Sequence, residues 1–210
     1  MPESADNLTI NDLGFEKYSK EIQLDLGAYP IARIARVVEE HRTRWTLSIG
    51  SAQLDASVRG ALHYDLDSEA FPKVGDWVFF TLLDHNKAII EEILPRVTTV
   101  ARKNIGGIGR QILVTNIDTV AIVQASDQEF SVAKMERYLR LVADSGASPL
   151  IVFTKTDKAD DIESFKNEVK KVAAGVPFVA ISAKVTGEGM DMLAEYLKPR
   201  ETIVLLGSSG

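Results

Sequence analysis

The chain has no cysteine. That excludes a disulfide framework and any thiolate metal site within it, and it fits a reducing compartment. No apolar run approaches the ~20 residues that a bilayer span needs, so no membrane association is expected. The first residues, Met1-Pro-Glu-Ser-Ala-Asp6, are polar and acidic, unlike a secretory signal. A cytoplasmic location is the expectation. Internal repeats and low-complexity tracts are also missing, which sets aside solenoid and disordered classes. What is present is ordinary globular composition: 210 residues, 45% hydrophobic and 26% charged, enough for one large domain or two modest ones. The net charge of -6 gives no global attraction to nucleic acid or membrane. Charge is uneven, however. From Pro95 to Gln111 the chain carries Arg96, Arg102, Lys103 and Arg110 and no acidic residue. From Ile31 to Gly60 it carries Arg33, Arg36, Arg42, Arg44 and Arg59 against Glu39, Glu40 and Asp55. Local basic patches can dock on RNA phosphates in an acidic protein; a set of solvated surface arginines gives the same pattern.

Three rhythms follow one another along the chain. Leu8, Leu13, Phe15, Tyr18, Ile22 and Leu26 recur at loosely helical spacing, which predicts a helical arm over residues 1–30, ended by Gly27-Ala-Tyr-Pro30. From 31 to 100 the pattern is of five short strands, at Ile31–Val38, Arg44–Ile49, Gln53–Val58, Asp76–Leu82 and Lys87–Ile93, separated by turn-rich pieces. That suggests a small closed all-β barrel, with an OB-fold preferred over an SH3-like barrel. From 101 to 210 apolar runs alternate with amphipathic helices, as in a mostly parallel α/β sheet. The strands are expected at Thr119–Ala125, Pro149–Thr154, Pro177–Ser182 and Thr202–Leu206. Ser131 can cap a first helix ending before Gly146, a second runs from Ile162 to Val172, and a third uses Met190, Leu193 and Leu197 before Pro199. The domain boundary is expected between Arg96 and Gln111, in the basic, Gly-rich stretch from Arg102 to Arg110.

Three segments carry chemistry, each on the end of an apolar run: Thr154-Lys155-Thr156-Asp157, Ser182-Ala183-Lys184, and Gly207-Ser208-Ser209-Gly210. A carboxylate at the carboxyl end of a parallel strand stands where α/β sheets bind ligands. An ionised Asp157 can accept two hydrogen bonds at once, and guanine offers two adjacent donors, its ring N–H and its exocyclic amine. Adenine presents an acceptor there and would leave a carboxylate unpaired. Lys155 can lay its stem along the base with its ammonium in water. A backbone N–H near Ala183 would serve the guanine carbonyl. Taken singly, each segment also reads as an ordinary strand-to-helix turn. Their order is what argues for a site, since consecutive strands joined by one helix lie side by side. Gly207 to Gly210 would let backbone N–H groups converge on phosphate oxygens, although Gly-Ser-Ser-Gly is also the composition of a linker.

Taken together these residues resemble the RsgA (YjeQ) family of circularly permuted GTPases, which act in small-ribosomal-subunit maturation. The resemblance rests on Arg59-Gly60, Val74-Gly-Asp-Trp77, Leu94-Pro-Arg96, Arg102-Lys103, Asn116-Ile-Asp118, Arg137-Tyr-Leu139, Phe153-Thr-Lys-Thr-Asp157 and Leu206-Gly-Ser-Ser-Gly210. It implies an OB domain contacting ribosomal RNA, with Arg33, Arg36, Arg42, Arg59, Arg96, Arg102 and Lys103 as candidates. It implies a GTPase domain whose GTP/GDP site includes Thr154, Lys155, Thr156, Asp157, Ser182, Ala183, Lys184, Gly207, Ser208, Ser209 and Gly210. It implies a monomer partnered with the small subunit, magnesium at the phosphates, and a zinc domain. Catalytic groups, magnesium ligands and zinc ligands are expected beyond residue 210, so the chain alone is expected to be inactive. Thr154 departs from the Asn that many GTPases carry there. The rival reading is an RNA-binding module whose α/β part is a scaffold, with Trp45 and Trp77 as base platforms.

Overall fold

Strand alternation is clean in the first half of the chain, where Leu54, Ala56 and Val58 turn inward and Gln53, Asp55 and Ser57 outward. The computed structural model describes residues 8–59, 69–103, 109–126, 131–159 and 161–207. It divides into two units, residues 1–116 and 117–210.

In the first unit β1 (Ile34–Glu40), β2 (Trp45–Ser48), β3 (Gln53–Val58), β4 (Trp77–Asp84) and β5 (Lys87–Ile93) close a barrel in the order β1-β2-β3-β5-β4. Four of its pairings are antiparallel, and β3 joins β5 in parallel. This non-sequential closure is the Greek-key order of an OB-fold and decides against the SH3-like alternative. The interior holds Val37, Trp45, Leu47, Leu54, Val58, Val78, Phe80 and Ile90.

The amino-terminal arm docks on this unit. Its helix α1 is only Phe15–Glu21, shorter than the spacing of apolar residues suggests, because Gly14 before it and Gln23 after it both take positive φ. Phe15 and Tyr18 pack with Ile34, Trp77 and Leu94 in a second core. Tyr18 stacks on Trp77 at 5.6 Å and Phe15 meets its edge at 5.1 Å. The Tyr18 hydroxyl donates to the Pro95 carbonyl at 2.7 Å; burial, with Asp76 nearby, pushes its pKa well above the usual value of 10.

A buried carboxylate ties the loops together. Asp76 is fully buried and accepts from Arg96 Nε at 2.8 Å, Arg96 Nη2 at 2.7 Å, the Lys73 N–H at 2.8 Å and Thr115 Oγ1 at 2.6 Å. Arg96 also donates to the Glu69 and Phe71 carbonyls. Thr115 ends a ribbon, β6 (Thr99–Lys103) with β7 (Arg110–Thr115), which overlaps the stretch where the sequence leads one to expect the domain boundary. It falls within the first unit. Asn116 adds a bond from Nδ2 to the Gly75 carbonyl at 3.0 Å. The ribbon runs so close to this turn that a Cβ on Gly75, at φ +96°, would lie 1.9 Å from the Thr115 oxygen; only glycine fits.

The second unit alternates β8 (Thr119–Ala125), α2 (Val132–Ser145), β9 (Ser148–Thr154), α3 (Ile162–Val172), β10 (Phe178–Ala180), α4 (Met190–Ala194) and β11 (Ile203–Gly207). The strands form one parallel sheet, β10-β9-β8-β11. β8 and β9 are buried along their middles, Val120–Ile122 and Leu150–Phe153, as a sheet covered on both faces requires. On one face α2 packs against β9 and α3, and Phe153 stacks on Phe165. On the other, Leu193 and Tyr196 cover Ala121, Leu150, Val152, Val179 and Ile181. Ser131 caps α2 by accepting from the Lys134 N–H, and Gly146 ends it at φ +82°. Asp161 caps α3, accepting from the Ser164 N–H at 2.9 Å.

Removing the Asp76 carboxylate strands a largely buried guanidinium. Asp76→Ala is expected to lower unfolding stability by about 3–5 kcal/mol, read as a fall in the urea midpoint; a loss below about 1 kcal/mol would mean that Arg96 finds water instead.

Candidate nucleotide-binding site

With all four strands parallel, every carboxyl end lies on one edge of the sheet, where open α/β sheets take ligands. β9 ends at Thr154. Lys155 then adopts a left-handed conformation, φ 58° and ψ 40°, which for a residue with a Cβ costs about 1–3 kcal/mol. The turn it starts, Thr156–Lys158, is closed by the Lys158 N–H on the Lys155 carbonyl at 2.9 Å. Neighbouring strands hold this conformation. The Ser126 N–H donates to the Thr154 carbonyl at 3.0 Å, the Ser126 hydroxyl donates to the Lys155 carbonyl, and the Thr156 N–H donates to the Ile181 carbonyl at 3.2 Å. Ser126 follows β8 directly and was not among the residues that sequence reasoning selected. Its only sequence signal is a hydroxyl at the end of an apolar run.

The turn brings Asp157 to Ser182, whose hydroxyl donates to Asp157 Oδ1 at 2.6 Å. Ser182 is buried, whereas Asp157 is exposed. A carboxylate offers about four acceptor positions; the serine takes one, which leaves capacity for two donors from a ligand. The loop after Ser182 is pinned at both ends. The Ser182 N–H donates to the Glu188 carbonyl at 2.9 Å and the Gly187 N–H to the Ser182 carbonyl at 2.7 Å. Gly189 has φ +78°, and a Cβ there would lie 2.0 Å from the Ala180 oxygen. Ala183 and Lys184 sit exposed on this loop, and Lys155 is exposed beside them in sequence order on the adjoining strand end. Gly207 ends β11 on the same edge, opposite Val123. β8 stands between β9 and β11, so Gly207 is two strand spacings, about 10 Å, from Val152, two residues before the end of β9. Ser208, Ser209 and Gly210 lie outside the described residues, as do Gly60 and residues 104–108.

The basic candidates separate into two groups. Arg36 is buried; it donates to the Leu13 carbonyl at 2.6 Å and the Asn116 carbonyl at 2.8 Å, and lies 5.2 Å over Trp77. Arg96 is held by Asp76. Neither is available to phosphates, which corrects the sequence expectation: desolvated guanidinium groups here serve carbonyls and a carboxylate. Trp45 and Trp77 are buried as well, so neither offers a platform to a base. Arg33, Arg42, Arg59, Arg102 and Lys103 remain at the surface, with Arg59 bonded to Glu91 at 2.7 Å and Arg102 to Gln111 at 2.9 Å. Among the described residues no group of three or more His, Cys, Asp or Glu side chains is arranged to hold a metal ion, and no helix is long and apolar enough to cross a membrane.

The RsgA GTPase family model matches residues 93–210. The chain belongs to the RsgA GTPase family. It is 37% identical over 190 residues to the small ribosomal subunit biogenesis GTPase RsgA 2 of Lactiplantibacillus plantarum, covering 90% of this chain and 54% of that protein. It is 35% identical over 198 residues to RsgA of Methanosarcina acetivorans, covering 92% and 52%. The chain thus spans about half the length of these relatives. Among solved structures, YjeQ from Thermotoga maritima superposes with a TM-score of 0.66 at 27% identity, covering 85% of this chain and 61% of that one. YloQ, described as a circularly permuted GTPase, shares the fold with a TM-score of 0.59 at 22% identity, over 84% and 60%. The strand order agrees with that permutation, because the Gly207 strand follows the Thr154 and Ser182 segments in sequence and pairs with β8.

Gly189→Ala would strain both φ and the contact with Ala180. A loss on the order of 1–3 kcal/mol is expected, together with faster hydrogen exchange at the Ser182 N–H; unchanged exchange there would show that the loop is not pinned at Gly189.

Proposed function

We propose that this chain is the RNA-contacting and base-recognising part of a guanine-nucleotide-dependent maturation factor for the small ribosomal subunit. The observation that carries the reading is the Ser182–Asp157 bond at 2.6 Å. It fixes an exposed carboxylate at the ligand-binding edge with acceptor capacity to spare. The names of the relatives, small ribosomal subunit biogenesis GTPases, support the same assignment. In this reading the protein works in the cytoplasm, as a monomer on its ribosomal partner.

In this reading Asp157 accepts from the guanine ring N–H and amine, Lys155 covers the base with its stem, and the Ala183 N–H meets the guanine carbonyl. Thr154 and Thr156 shape the turn, and Lys184 flanks it in solvent. The phosphates run toward Gly207 and the residues after it, Ser208, Ser209 and Gly210. Within the 210 residues no Gly-Lys-Ser/Thr follows this loop. In the whole protein, GTP hydrolysis uses water as nucleophile, and the rate comes from positioning and from electrostatic stabilisation of the transferred phosphoryl group. Magnesium supplies charge neutralisation at the phosphates when bound; the ligands for it and for the zinc that the family likeness implies are not assigned to any residue of this chain. The first unit meets ribosomal RNA through Arg33, Arg42 and Arg59 around the barrel and Arg102 and Lys103 on the β6–β7 ribbon, by phosphate contacts that release counterions. The scaffold-only alternative is weaker, because the aromatic platforms it relies on are buried and two of its arginines, Arg36 and Arg96, are engaged internally.

Asp157→Ala, in a longer version of the chain that carries a complete phosphate loop, is expected to abolish the preference for GDP over ADP in competition binding; retention of that preference would refute the base assignment. The 210-residue chain alone is expected to release no phosphate from GTP above background, and robust turnover would overturn that expectation.

A further inference from the structure

We infer that Ser126 is a positioning residue for base recognition: from the end of the neighbouring strand it clamps the Thr154–Lys155 peptide and thereby sets Asp157 against Ser182. The inference rests on the guanine reading above. β8 and β9 pair in register from Thr119 opposite Ser148 to Ala125 opposite Thr154, and Ser126 is the next residue. Its N–H continues the ladder onto the Thr154 carbonyl at 3.0 Å. The following carbonyl, that of Lys155, would point away from β8 if the strand stayed extended. The left-handed turn at Lys155, φ 58°, brings it round to the same side, where the Ser126 hydroxyl donates to it. One residue thus engages two successive carbonyls, one with its backbone and one with its side chain.

The second of these bonds needs a hydroxyl on a one-carbon stem, so serine or threonine can make it and alanine cannot. Without it, the Lys155 conformation keeps the Lys158 N–H, the Thr156–Ile181 bond and the backbone bond from Ser126 to Thr154 but loses the side-chain bond from Ser126 to the Lys155 carbonyl. The natural relaxation is toward an extended Lys155, which carries Asp157 away from the Ser182 hydroxyl. Ser126 touches no ligand in this account. It acts through the backbone, and its effect falls on the geometry of two acceptor bonds to the base.

The test is a titration of the 210-residue chain, followed by amide chemical shifts, with millimolar GMP and IMP, which differ by the exocyclic amine that Asp157 would accept. The wild type is expected to favour GMP. In Ser126→Ala the GMP affinity should fall about tenfold, the preference over IMP should collapse, and the Lys155 shifts should leave their left-handed values. Ser126→Thr should keep all three properties. A variant that is merely less stable would weaken GMP and IMP alike and leave the Lys155 shifts in place, which would overturn the proposal. So would a threonine variant that behaves like alanine. A wild type that does not distinguish GMP from IMP would instead refute the guanine reading itself, a result separable from the failure of Ser126 alone.

Discussion

Parallel pairing is the constraint on which the α/β unit depends. Because β8, β9, β10 and β11 run the same way, each connection must return across a face of the sheet, and each strand delivers its last residue to the same edge. Residues 126, 154–157, 182 and 207 are separated by up to dozens of positions in the chain, yet all lie at or just past strand ends on that edge. The chemistry follows from this register. A carboxylate placed one turn past β9 can be met by a hydroxyl two residues past β10 only because Phe153 and Ala180 are partners in the ladder.

A second constraint governs the barrel unit. Asp76 has no exposed surface, and an isolated buried charge is costly enough that it must be neutralised by geometry. Arg96 supplies a bidentate partner, while Lys73 and Thr115 supply further donors. The same carboxylate therefore joins the turn before β4, the segment after β5 and the β6–β7 ribbon. Arg36 plays a related part, its guanidinium linking the arm at Leu13 to Asn116 across the Trp77 ring. Basic residues that look like a nucleic-acid surface when counted along the chain are in these two cases internal cross-links.

Legibility differed from element to element for physical reasons. The limits of β3, β5 and β8 could be read because alternation or continuous apolar runs end at turn residues, and α2 could be read because Ser131 and Gly146 mark its ends. The β6–β7 ribbon could not. Its strands are short and basic, and its burial against the Gly75 turn comes from a long-range contact that leaves no periodicity. α1 and α4 proved shorter than their apolar spacing suggested, since packing against Trp77 or against Val152 and Val179 asks for apolar contact without asking for continuous helix. In the site, Asp157 and Ser182 were visible as residue types at strand ends. Ser126 was not, because a lone serine after an apolar run has no distinguishing pattern.

By itself the sequence determined the order of the two units, the alternation of strand and helix, and the presence of polar and charged groups, Asp157 and Ser182 among them, just past successive strands. These depend on local propensity and on periodicity, which a single chain displays directly. Tertiary structure alone decided the OB closure through β3 and β5, the internal engagement of Arg36 and Arg96 against the exposure of Arg42 and Arg102, and the ties from Ser182 and Ser126 to the Lys155 turn. The reason is the same for each. Hydrophobic patterning reports that a face will be buried, but the partner that buries it, and the donor that meets each carbonyl or carboxylate there, is set by strand register between distant segments.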